Sequence, residues 1–143
     1  MTRSKMVSML IVLLLLAACN GTPTTQPVVE VIGKQVVVDG GSYTDVNVAE
    51  LQTMLANEDF TFVNVHIPFE GDITGTDLSI PYDQIAQNLN KLPDKNAKIV
   101  LYCRSDRMSN IAAKTLVGLG YTNIWNLDGG MVDWEGAGLT IER

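Results

Sequence analysis

The chain has 143 residues, 46% of them hydrophobic and 18% charged, which is the balance of one globular domain and excludes disordered and collagen-like classes. A formal charge of −6 argues against a nucleic-acid partner, although a small anion can still bind in a local pocket set by backbone dipoles. There is no Gly-rich nucleotide motif and no set of Cys, His and carboxylates at metal-ligand spacing, so neither a cofactor nor a metal is expected.

Residues 1–18 open with Arg3 and Lys5, run apolar from Met6 to Leu16 and end in small residues before Cys19. This is the three-part pattern of an export signal. Its apolar run is shorter than the about 20 residues that span a bilayer as a helix. Leu16-Ala17-Ala18-Cys19 resembles a bacterial lipobox, which implies cleavage before Cys19, a lipid on its sulfur and an extracytoplasmic protein anchored to a bacterial membrane. Acyl chains contribute about 0.8 kcal/mol per buried methylene, and two or more hold a protein on a membrane stably. Loss of the leader removes Arg3 and Lys5 and leaves 8 basic against 16 acidic side chains.

Residues 19–41 read as a tether with possible short strands: Asn20 to Pro27 is polar with two prolines, and Val28 to Val38 holds two β-branched runs split by Gly33-Lys34. The domain proper is expected over 42–143. Tyr43 to Val46 reads as a strand. A helix follows, with Asn47 as N-cap and Glu50 completing a capping box. Phe60 to Val65 predicts a buried strand, Ile67 to Thr76 a loop, Asp83 to Leu89 a second helix and Lys98 to Tyr102 another strand. Asn110 to Leu119 has apolar residues at helical spacing and stops at Gly120, and Asn123 to Leu127 is a short strand. Strands alternating with helices predict an α/β fold with a small central parallel sheet flanked by helices on both faces.

With Cys19 committed to lipid, Cys103 is the sole remaining cysteine, and a lone free thiol in an exported protein is unusual. It sits where a strand ends and a helix begins, the place where open α/β sheets bind ligands. Helix N-termini leave amides unpaired, and with Arg104 and Arg107 alongside, the surroundings favour a thiolate.

Tyr102-Cys-Arg-Ser, Ala112-Ala113, Leu116, Gly120-Tyr121, Leu127-Asp-Gly-Gly130, Trp134 and Gly138-Leu139 together resemble the C-terminal half of single-domain rhodaneses. The resemblance extends, more weakly, from Tyr43 and includes Gly75, Ile80 and Pro81. It implies a sulfurtransferase in which Cys103 takes sulfane sulfur from thiosulfate, polysulfide or a similar donor, holds it as a persulfide, and passes it to a thiol or cyanide. Arg104, Ser105, Asp106, Arg107, Met108 and Ser109 would form the anion-binding and persulfide-binding loop. The partners implied are a small sulfur-containing anion or persulfide donor, a thiol acceptor and, through Cys19, a membrane.

Three features depart from the family's pattern. Asp106 and Met108 stand where many members have glycine and arginine. Asp106 can take a positive φ almost as glycine does, but its charge would oppose an anionic donor. Asn64-Val65-His66 replaces an Asp-x-Arg, and His66 reads first as filling the hydrogen-bonding place of that arginine, with Asn64 and His66 as supporting residues of the site the alternative. These departures motivate a second reading, a membrane-tethered rhodanese-like binding module with little or no turnover. A cysteine-dependent phosphatase is a third, disfavoured because Ser109 stands where the phosphate loop of those enzymes has arginine. Tyr121, Trp125 and Trp134 read as core, and Asp128, Asp133 and Glu135 as a solvated face.

Overall fold

The computed structural model describes residues 30–143; Cys19 and the leader lie outside them. The strands are β1 (Lys34–Val38), β2 (Gly41–Val46), β3 (Thr61–Asn64), β4 (Asp72–Ile73), β5 (Leu78–Ser79), β6 (Ile99–Tyr102), β7 (Ile124–Leu127) and β8 (Ile141–Glu142), and the helices are α1 (Val48–Leu55), α2 (Arg107–Gly118) and α3 (Gly130–Gly136). Six strands form one sheet in the order β1-β2-β7-β6-β3-β5, and β4 and β8 form a separate pair. The main sheet is parallel except for β1, which pairs antiparallel with β2. The expected small central parallel sheet is present, with β1 added antiparallel at its edge. The turn at Asp39-Gly40 makes the β1–β2 hairpin, which extends the sheet into the segment read as possible short strands.

β6 lies between β3 and β7 with all four residues buried, so its side chains alternate between two cores. Ile99 and Leu101 pack with Val63, Ala112, Ala113 and Leu116 on the α2 side. Val100 and Tyr102 pack with Leu51, Phe62, Met131 and Trp134 on the side of α1 and α3. Burial on both faces explains the unbroken apolar run, and each fully buried aliphatic side chain contributes about 1.5–3 kcal/mol. Trp134 and Tyr121 are buried, as their spacing indicates.

The capping box of α1 forms as read: Asn47 Oδ1 accepts from Glu50 N at 3.0 Å, and Glu50 Oε2 accepts from Asn47 N at 2.9 Å. α2 ends at Gly118 with Leu119 as its C-cap, and Gly120 follows with φ 87°. The second expected helix is instead two 3-10 segments, Tyr82–Gln87 and Leu89–Lys91. In this stretch only Ile85 is buried, so no apolar stripe extends it into a longer α-helix. The loop after β3 contains β4, whose Ile73 N–H donates to the buried Tyr102 hydroxyl at 3.0 Å.

Candidate active site

β6 delivers the chain at Cys103, buried to 2% exposure, and α2 starts four residues later at Arg107. The turn between them depends on Asp106, whose φ of 71° makes it the one non-glycine residue with positive φ among the described residues. Its side chain holds that conformation, because Asp106 Oδ1 accepts from the Gly129 N–H at 2.7 Å. The expected opposition between this carboxylate and an anionic donor is thereby reduced: the charge is turned toward the Asp128-Gly129 turn. Burial, followed by the nearby Asp128, Asp45 and Asp133, pushes its pKa up, against the lowering effect of the Gly129 amide.

A second brace comes from α3. Met131 N–H donates to Cys103 O and Val132 N–H to Arg104 O, both at 3.0 Å. Gly129, through the Asp106 side chain, and Met131 and Val132 in the first turn of α3 together form the clamp that fixes the cysteine loop.

α2 begins at Arg107, two residues earlier than a helix opening at Ser109. Ser109 lies in the first turn, fully buried, with its hydroxyl 3.4 Å from Cys103 Sγ and 3.1 Å from Asp106 O. One hydroxyl proton serves one of these acceptors at a time. The backbone N–H groups of Arg104, Ser105 and Asp106 find no acceptor among the described residues, whereas Arg107 N–H, the first amide of α2, already donates to Ser105 O at 3.0 Å. The loop therefore presents donors and no fixed acceptors to whatever sits on Cys103.

That space is a cavity of about 200 Å³ lined by His66, Cys103, Arg104, Ser105, Arg107 and Met108. Of the residues read from the sequence, Asp106 and Ser109 support it from behind, and the others line it. Asn64 lies apart: its side-chain amide donates to Gly71 O at 3.0 Å and Asp72 Oδ1 at 2.8 Å, and its Oδ1 accepts from His66 N at 2.9 Å. Asn64 thereby shapes the loop that carries His66.

The His66 ring does not take over an arginine's hydrogen bonds. Its side chain is 8% exposed, yet neither Nδ1 nor Nε2 has a hydrogen-bond partner. Glu70 is its carboxylate neighbour, with Oε1 3.7 Å from Nε2, too long for a hydrogen bond. Glu70 Oε2 accepts from Arg104 Nη1 at 2.7 Å. Nothing in the sequence marks Glu70, an acidic residue in a loop, as part of this site. Among the described residues, no three His, Cys, Asp or Glu side chains are placed to hold a metal ion.

Residues 47–137 match the rhodanese-like domain family. The chain belongs to this family. The match takes in α1, the cysteine loop of this rhodanese-like domain and the α3 clamp. A protein named sulfurtransferase from Allochromatium vinosum is 33% identical over 93 residues, covering 63% of this chain and 85% of that one. A tRNA uridine(34) hydroxylase from Erwinia tasmaniensis is 29% identical over 103 residues, 67% of this chain but 29% of its own length. Among solved structures, a rhodanese-like domain protein from Staphylococcus aureus superposes with a TM-score of 0.58 at 29% identity, covering 69% of this chain and 98% of that one.

Proposed function

We propose that this rhodanese-like domain is a sulfurtransferase that carries sulfane sulfur as a persulfide on Cys103, and that the chain is exported and anchored to a membrane through a lipid on Cys19. The observation that carries the chemical reading is the placement of one buried thiol at the floor of a cavity whose loop offers backbone donors. The Ser109 hydroxyl reaches its sulfur from below. Cys103 as thiolate attacks the outer sulfur of the donor, the sulfur–sulfur bond of the donor breaks, and sulfite or a thiol leaves. The loop amides stabilise the anionic sulfur left on Cys103, as preorganised donors stabilise developing negative charge elsewhere. The cavity is small, which suits a sulfur-containing anion or the end of a persulfide and leaves no room for a large substrate. The sulfurtransferase from Allochromatium vinosum supports the same activity class.

The test is to treat the purified protein with thiosulfate and, separately, with polysulfide and to record intact masses before and after reduction. A reducible gain of one sulfur, absent in Cys103→Ser, is expected. No gain from either donor, in folded protein whose Cys103 still reacts with iodoacetamide, would transfer the reading to a binding module without turnover. The anchor is tested separately by the mass of the N-terminal peptide: an acylated Cys19 is expected, and an unmodified one overturns it.

A further inference from the structure

A buried imidazole with both nitrogens unpartnered is costly, because a polar group withdrawn from water without a hydrogen bond loses its solvation with no return. His66 is in this position, its side chain 8% exposed and neither ring nitrogen bonded, and it lines the same cavity as Cys103. Asn64 Oδ1 accepts from the His66 backbone N–H at 2.9 Å, which fixes the backbone that carries the ring. We propose that His66 is a second catalytic residue, which gives a proton to, and takes one from, the thiol exchanged when Cys103 trades sulfur with a thiol persulfide.

This rests on the sulfurtransferase reading above and names the donor class that the site favours. In the first half-reaction, Cys103 thiolate attacks the outer sulfur of R–S–SH. The inner sulfur leaves as RS⁻ and takes the proton of the His66 imidazolium, giving RSH, neutral His66 and the Cys103 persulfide. In the second half, neutral His66 accepts the proton of an incoming thiol R′SH, whose thiolate attacks the outer sulfur. R′–S–SH forms, Cys103 departs as thiolate, and the imidazolium is restored. No oxidant or reductant is consumed. Thiosulfate places no such demand, since sulfite leaves as a stable anion. The groups that face the ring are Glu70 on its own loop and Cys103, Arg104 and Arg107 across the cavity. Glu70 is the counter-ion of the protonated ring, while the two arginines hold anionic ends of the donor.

The experiment compares wild type and His66→Gln in loading Cys103 from cysteine persulfide and from thiosulfate, each across pH 5–9. General acid–base assistance contributes roughly 10²–10⁴-fold, so the ratio of persulfide to thiosulfate rates is expected to fall at least tenfold in His66→Gln. The shape of the persulfide pH profile should also change in His66→Gln, while that of thiosulfate loading does not. Because His66 is the sole histidine, ¹⁵N-histidine labelling of untagged wild-type protein gives one imidazole to observe, and its signals should move when Cys103 is loaded. An unchanged donor ratio or an unmoved imidazole in loaded protein overturns the role of His66 and leaves the sulfurtransferase reading standing. Failure of wild-type Cys103 to take sulfur from either donor overturns both.

Discussion

Gly130 has no room for a side chain, because a Cβ there would lie 2.4 Å from the carbonyl oxygen of Cys103 and 2.8 Å from that of Arg104. Its φ of 56° adds a second reason for glycine. These contacts accompany the bonds from Met131 and Val132 to the same two carbonyls, so the fit of α3 against the cysteine loop depends on one hydrogen atom. Gly130→Ala is expected to cost about 1–3 kcal/mol through strain and to lower Tm by several degrees. Sulfur uptake at Cys103 should fall further than stability alone explains, since the displaced backbone is that of Cys103 itself. Thermal melts beside intact-mass loading check both; a variant with wild-type Tm would show that the clamp yields without cost.

Removing the Ser109 hydroxyl tests the support beneath the sulfur. Hydrogen bonds to charged groups contribute about 1.5–3 kcal/mol, and the 3.4 Å contact with Cys103 Sγ places this one at the low end. Ser109→Ala should slow iodoacetamide capture of Cys103 at pH 7 by roughly tenfold, with little change in fold because the serine is replaced by a smaller apolar group. An unaltered alkylation rate would mean that the hydroxyl serves Asp106 O instead.

Glu70 and Arg104 make the contact at 2.7 Å with side chains 38% and 45% exposed. Exposed pairs of this kind contribute about 0–1 kcal/mol to stability, so the pair matters for access to the site. A carboxylate on Arg104 competes with any anion for the same guanidinium. Glu70→Gln is expected to leave Tm within a degree or two and to speed thiosulfate loading of Cys103 severalfold at low salt, with a smaller effect at high salt. Loading kinetics at two ionic strengths decide this, and a rate indifferent to the substitution removes Glu70 from the entry to the site.

What the sequence discloses of this domain follows the strength of local signals. The β-branched run into Cys103, the capping box at Asn47 and the glycine after Leu119 are each written in consecutive residues, and each forms where read. The pairing of Asp72–Ile73 with Ile141–Glu142 joins distant segments too short to leave a pattern, whereas β1 pairs locally with β2 across the Asp39-Gly40 turn, in a segment that reads as possible short strands. α3 hides because its first residue is glycine and Gly129 precedes it, so the helix start carries a breaker's composition; only the Met131 and Trp134 spacing points to it. The loop after Cys103 is legible as a loop, but it ends at Asp106, because α2 begins at Arg107. That Asp106 turns toward Gly129 while His66 and Glu70 enter from the β3 side depends on tertiary placement, which no spacing along the chain encodes.

The position of Asp106 leads to a pH dependence. Its carboxyl is pushed up by burial and then by Asp128, Asp45 and Asp133, with Gly129 N–H opposing, so the folded state holds the proton more tightly than the unfolded chain does. The stability contributed by that proton is complete below the unfolded carboxylate value of about 3.9 and is lost as pH rises through the raised folded value. At neutral pH Asp106 therefore sits charged in a place that disfavours charge. Asparagine keeps the tolerance for positive φ and keeps an oxygen for the Gly129 amide, but it carries no charge. Asp106→Asn should raise Tm at pH 7 and raise it less, or not at all, at pH 4. Asp45, raised by burial as well, should leave a residual slope of the same sign in the variant. Melting curves of both proteins from pH 4 to 7 measure the difference, and an equal gain at both ends would assign the effect to packing instead of charge.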